Sequence, residues 1–308
     1  MQGPFVDMSL IVTVGMSWYS GTPPRWNVPE DRLSPKQRQD LAKEKHYVKV
    51  FEWLQERLPF LEQVVPLMVG QAHDTFILGA FLDTHARQAR ATDLNSLKKC
   101  IPDYVEEALI TPSLQKVAPP NNNQRKNKHW YGWHSVWTAR LLVPRASRDE
   151  FDDDPQMFCD AVIGMDVKID HEDYPSFLYS DDEEFDKDAI DVGLLRSGLL
   201  IKTVRHVLTS PSSVTKPAGK KGLGRGCISQ IYKLDRVAPE TIAYVATLVR
   251  NLLSSSETWE VKDGDFDGQE FYANIIKLFK GGRSVDEDWV RETLIFWNSG
   301  LVLSMAQR

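Results

Sequence analysis

Beyond Pro239, apolar side chains recur at every third or fourth position through three successive segments, each opened by a helix-start signal. Pro239-Glu240 introduces Ile242, Val245, Val249, Leu252 and Leu253, and Asp267-Gly268-Gln269-Glu270 introduces Phe271, Ile275, Leu278 and Phe279. Ser284-Val285-Asp286-Glu287 reads as a capping box and introduces Trp289, Leu294, Phe296 and Trp297. An apolar stripe must be buried against another element, so three in a row require one another as partners. The expected architecture is mainly α, an irregular helical array with a C-terminal helical bundle over residues 192–300 and few or no strands.

Upstream the same reading continues with weaker punctuation. Residues 1–33 hold Pro4, Pro23, Pro24 and Pro29, and the expectation there is an irregular N-terminal arm. Ser34-Pro35-Lys36-Gln37 then combines a capping serine, a first-turn proline and a box-closing glutamine, which predicts a long helix to about Leu58. A second helix is expected over roughly 74–90, where Phe76 and Ala80, with Leu78 and Leu82, keep helical spacing. Asp93 restarts the chain with Leu94, Leu97 and Ile101 on one face until Pro102.

These pieces make an N-terminal helical region, 34–110, sharing one core with the C-terminal bundle. Residues 111–191 are loop-rich, aromatic and acidic, and 129–144 is open between a strand pair and a helix. Pro155 to Val162 is a short amphipathic segment. Val192 to Leu208 reads as a helix with Leu195, Leu199 and Val204, although Gly193 and Gly198 would each cost about 1 kcal/mol inside one.

A chain of 308 residues with 42% hydrophobic content and nine tryptophans can bury a core without disulfide or metal staples. Cys100, Cys159 and Cys227 are odd in number and far apart, which favours a reducing compartment and an intracellular protein, cytoplasmic or nuclear. The apolar run Ser9 to Met16 has Asp7 where a signal peptide needs positive charge. No apolar run reaches the ~20 residues of a membrane-spanning helix, so no membrane partner is expected.

The net charge of −6 conceals a steep division. From Asp149 to Asp191 there are 17 acidic residues and two basic ones, whereas from Val192 to Arg236 there are nine basic residues and one acidic. The adjacent blocks could clasp one another, or each could face solvent and a partner of opposite charge.

Several motifs invite a chemical reading. Asp263 to Gly268 carries alternate carboxylates and a sixth-position glycine like a calcium loop, but Glu270 and Asn274 stand where the second half needs an apolar residue and a bidentate glutamate. The preferred reading is a polar turn capping the next helix. Gly219 to Gly226 is glycine-rich and basic but lacks the ending of a phosphate loop. His171, among Asp170, Glu172 and Asp173, has no second histidine or cysteine at ligand spacing, and no serine sits in a nucleophile elbow. No cofactor, metal ligand or catalytic residue is assigned. The candidate binding residues, for nucleic acid or an acidic partner, are Arg125, Lys126, Lys128, Trp130 and Trp133, with Lys220, Lys221 and Arg225 in the glycine-rich loop.

An ordered set of residues resembles a family. Leu194-Leu195-Arg196-Ser197, Thr209-Ser210-Pro211-Ser212-Ser213, Ile242-Ala243-Tyr244-Val245-Ala246, Leu253-Ser254-Ser255, Phe271-Tyr272 with Asn274, and Trp297-Asn298 are similar to an expanded set of proteins of unknown function from mushroom-forming fungi. The similarity reaches upstream through Asp93 to Leu97 and Arg140-Leu141-Leu142 with Pro144. What it implies about function is an association with mobile elements, by analogy with the multiplication of such genes. The favoured expectation is a non-enzymatic interaction protein with an unidentified protein partner. A nucleic-acid-associated factor linked to a mobile element is the alternative, and an enzyme whose site assembles only in three dimensions the second.

Overall fold

The computed structural model describes residues 7–21, 24–108, 127–180, 183, 185–209, 211, 214, 236–280 and 287–305. The chain divides into two compact units, whose described parts are residues 7–92 and 93–305. The division falls inside one helix, and it differs from the boundary at 110 read from the sequence.

The first unit holds α1 (Met8–Tyr19), α2 (Pro35–Arg57), α3 (Pro59–Val64) and most of α4 (Ala72–Leu97). Helix α2 starts as its capping box dictates: Gln37 N donates to Ser34 Oγ at 3.3 Å while Gln37 Oε1 accepts from Ser34 N at 2.9 Å. The irregular arm expected over 1–33 is overturned by α1, which Asp7 caps by accepting from Leu10 N. The prolines that suggested irregularity flank residues 8–19 and leave that stretch free to coil. Two glycines then let it pack closely: a Cβ on Gly15 would meet Phe51 of α2 at 2.1 Å, and one on Gly79 of α4 would meet the Ser9 backbone at 2.7 Å. Ile11, Val12 and Met16 thereby join Phe51, Leu61 and Val65 in a core of their own.

The second unit centres on α10 (Pro239–Leu253), twelve of whose fifteen residues are buried. Against it pack α6 (Val136–Leu142), α9 (Gly198–Leu208) and α11 (Gly268–Leu278), while α5 (Ile101–Ala108) and α12 (Glu287–Met305) pack on α9 within the same core. The periodicities after Pro239 are met by α10, α11 and α12, although the capping box proposed for the last lies outside the described residues. Trp289 and Trp297 of α12 donate their ring N–H groups to the Asp191 and Leu195 carbonyls, each at 2.9 Å. The loop before α9 is therefore tied to α12. Of residues 34–110, Leu94, Leu97, Ile101, Tyr104 and Val105 are buried in this core, whereas Phe51, Leu61, Val65, Leu78 and Leu82 are buried in the core of the first unit.

Local expectations are corrected at three further points. Asp93 does not restart the chain, because α4 runs through it to Leu97, and Pro102 sits in the first turn of α5, where its missing N–H is harmless. Helix α9 begins at Gly198 rather than Val192: Ser197 caps it, accepting from Leu199 N at 3.1 Å, and Gly193 turns the chain before it with φ +71°. Residues 129–144 form short 3-10 turns and then α6. The only strands among the described residues, Lys262–Asp263 and Phe266–Asp267, pair as a two-residue hairpin.

On the flank of the second unit, α7 (Arg148–Asp153) and α8 (Pro155–Ile163) pack on α6 through Ala139, Val143, Phe151, Phe158 and Cys159. The buried Arg140 binds Asp152 with two hydrogen bonds, at 2.9 and 3.0 Å, which fixes α7 against α6.

Candidate interaction surface

The basic and aromatic candidates do not form one surface among the described residues. Arg125, Lys126, Lys220, Lys221 and Arg225 lie outside those residues. Lys128 is described, and its ammonium donates to the Asn251 carbonyl and, at 2.7 Å, to that of Ser256. Those oxygens belong to the last turn and exit of α10, where the helix dipole is negative, so Lys128 works as a C-terminal cap. Burial, and then the charge of Lys98, lowers its pKa to about 8. Trp133 packs against Phe158, with ring centroids 6.3 Å apart, while Trp130 is 45% exposed beside the stacked rings of His129 and His134.

The calcium-like stretch is likewise consumed by structure. Asp263 pairs with the buried Arg250 at 3.2 Å, Gly264 makes the hairpin turn with φ +62°, and Asp267 caps α11 by accepting from Gln269 N and Glu270 N. Arg250 also lies over the Phe266 ring at 4.1 Å. His171 offers its carbonyl to Asn274 Nδ2, and Asp170 and Asp173 accept backbone N–H groups of their own turn. Among the described residues no three His, Cys, Asp or Glu side chains gather as a metal could require. Burial and Asp160 push the Cys159 thiol up to about 11, which makes it a core residue rather than a nucleophile.

One polar cluster escaped the sequence reading entirely. Ser96 Oγ lies 2.7 Å from His206 Nε2, the Tyr104 hydroxyl lies 3.0 Å from Nδ1, and the Tyr244 hydroxyl donates to Asp93 at 2.7 Å. Burial lowers the His206 pKa and raises that of Asp93. Both imidazole nitrogens are engaged by partners about a hundred residues away in the chain, and no spacing could have revealed them. Ser96 lies in the last turn of α4, so its hydroxyl is not set at a helix N-terminus whose amides could stabilise an oxyanion.

The acidic block forms the clearest open surface. Helix α8 buries Phe158 and Cys159 and turns its other side to solvent. Along α8 Met157 (65%), Asp160 and Ile163 (47%) are exposed, and just outside its two ends so are Asp153, Asp154, Met165 (78%) and Asp166. The arrangement follows from sequence: Asp154 caps α8 by accepting from Met157 N, and Pro155 occupies the first turn. At the far end Asp166 N donates to the Ala161 carbonyl and Met165 N to that of Val162, the pairing of a Schellman motif. Met165 holds the left-handed position of that motif, φ +66°, where glycine is the common residue and a side chain costs about 1 kcal/mol. A second exposed apolar set, Leu67, Phe76, Ile77 and Phe81, lies in the first unit and has the mixed charges Asp74 and Arg87 beside it.

Residues 84–302 match the model of a family described as a family of unknown function (DUF6698). No curated protein and no solved structure matches the chain.

Proposed function

The chain belongs to this family of unknown function, and we propose that it is a non-enzymatic interaction protein whose acidic α8 face binds a cationic polypeptide. One observation carries the reading: four exposed carboxylates and three exposed apolar side chains lie along α8 and at its two ends, on a helix anchored in the core by Phe158 and Cys159. An exposed apolar group with a polar rim is the usual mark of a protein-binding site. The carboxylates repel phosphate and attract Lys and Arg, selecting polypeptide over nucleic acid.

The competing reading takes nucleic acid as the ligand and a mobile element as the setting, as the resemblance to multiplied fungal proteins implies. It rests on basic residues outside the described segments, whereas Lys128 already holds two carbonyls.

The two readings separate in one binding experiment. A lysine-rich peptide is expected to bind at low salt, to weaken as salt rises, and to lose binding in the triple variant Asp153→Lys, Asp160→Lys, Asp166→Lys. Retention of single-stranded or duplex nucleic acid by the unaltered protein, with no peptide binding, would replace this function by the competing one.

A further inference from the structure

The α8 surface contains a residue that fold stability does not explain. Met165 occupies a backbone conformation that suits glycine, and its side chain is 78% exposed with no core to fill. Asparagine tolerates the same conformation and would hydrate better. A solvated methionine there gains the folded chain nothing. It would gain a complex something, because methionine is unbranched, polarizable and adapts to an apolar partner.

From this, and resting on the function proposed above, we infer that the α8 face receives an amphipathic cationic helix and that Met165 is the anchor of the contact. Met157 and Ile163 are six positions apart, about 9 Å along the α8 axis, and Met165 follows just past the helix end, a length that about two turns of a partner helix cover. A partner with leucines at i, i+3 or i+4 and i+7 presents apolar side chains over that span. The rim supplies the other half of the match. Asp153 and Asp154 stand just before α8, Asp160 within it and Asp166 shortly past its end, so lysines or arginines flanking the leucine stripe meet a carboxylate along the whole length. An extended basic chain satisfies the carboxylates but leaves the three apolar side chains in water. Only a partner with one apolar face covers both.

The test uses the whole protein and two fluorescent peptides of identical Leu and Lys composition. In one the leucines fall on a single helical face, and in the other their order is scrambled. The amphipathic peptide is expected to bind the more tightly. Met165→Gly is expected to raise Tm by a few degrees and to weaken the amphipathic peptide about tenfold while leaving the scrambled one unchanged. Met165→Asn, which also tolerates the left-handed backbone, should weaken the amphipathic peptide equally. Equal binding of the two peptides overturns the inference while the acidic-face function stands, whereas failure of both peptides to bind at low salt removes that function as well. A fall in Tm for Met165→Gly would assign Met165 a packing role and overturn the inference, as would sedimentation showing that a second copy of the chain covers the face.

Discussion

Lys128 shows how a residue can be chosen for the right chemistry and assigned to the wrong partner. Its charge is real, but the anion it meets is the carbonyl end of α10 rather than a phosphate. Because burial lowers its pKa to about 8, the unfolded chain binds more protons than the folded one between about pH 8 and 10. The pH-dependent part of its contribution to stability is therefore complete above the unfolded value and is lost as pH falls towards 8, separately from its hydrogen bonds to the two carbonyls. Stability is expected to rise with pH across that window, before tyrosines titrate in the unfolded chain while burial keeps Tyr179 and Tyr272 protonated. Lys128→Met should flatten this rise and, by leaving two carbonyls without their donor, destabilise the protein by about 2 kcal/mol at pH 7. Urea titrations of both proteins at several pH values measure the two effects together. An unchanged midpoint would show that the ammonium does not hold the exit of α10.

At the scale of elements, the decisive positions are glycines, and they act in opposite ways. Gly15 is where α1 touches α2, and an alanine Cβ there would overlap the Phe51 ring. The clash outweighs the helix propensity of about 1 kcal/mol that alanine would add. Gly15→Ala is expected to cost about 3 kcal/mol and to expose α1 to protease. Gly198, at the first position of α9, has open space around its would-be Cβ and no positive φ. Gly198→Ala should be neutral or stabilise by about 0.5 kcal/mol. Thermal unfolding of the pair decides the matter, and similar Tm values would refute the close-approach account of α1. Helix starts were easier to read than packing: Ser34 and Asp267 as caps and Pro239 as a first-turn residue announced their helices because such signals act within four residues. Met8–Tyr19 went unread because the glycines that admit it become informative only once Phe51 and Ser9 are opposite them.

At the scale of the whole molecule, the main apolar cluster of each unit implies a level of stability of its own. The amides of α10 sit inside the larger one, enclosed by α6, α9 and α11. Native-state hydrogen exchange is expected to find them the slowest in the chain, while amides of α1 and α2 open by a smaller, separate unfolding. A single protection level shared by α2 and α10 would show that the units unfold as one. The family match covers nearly all of the unit that contains α10 and only the C-terminal end of the first unit. The α8 surface lies within that match, whereas the exposed Leu67, Phe76, Ile77 and Phe81 precede it.

By itself, the chain of letters determined the helical class, the starts of α2, α10 and α11, and the uneven charge, because caps, periodicity and composition are local properties. Tertiary structure alone decided which charges were consumed and which remained for a partner. Lys128, Asp152, Asp263 and Arg250 meet residues distant enough in the chain, or buried deeply enough, that no spacing rule reports them. Met157 and Asp160 face solvent because Phe158 and Cys159 hold the opposite side of α8 in the core, and Asp153, Met165 and Asp166 are exposed just outside its ends. A helical sequence specifies the order of its faces around the axis, but which face is left open depends on what the rest of the chain packs against it.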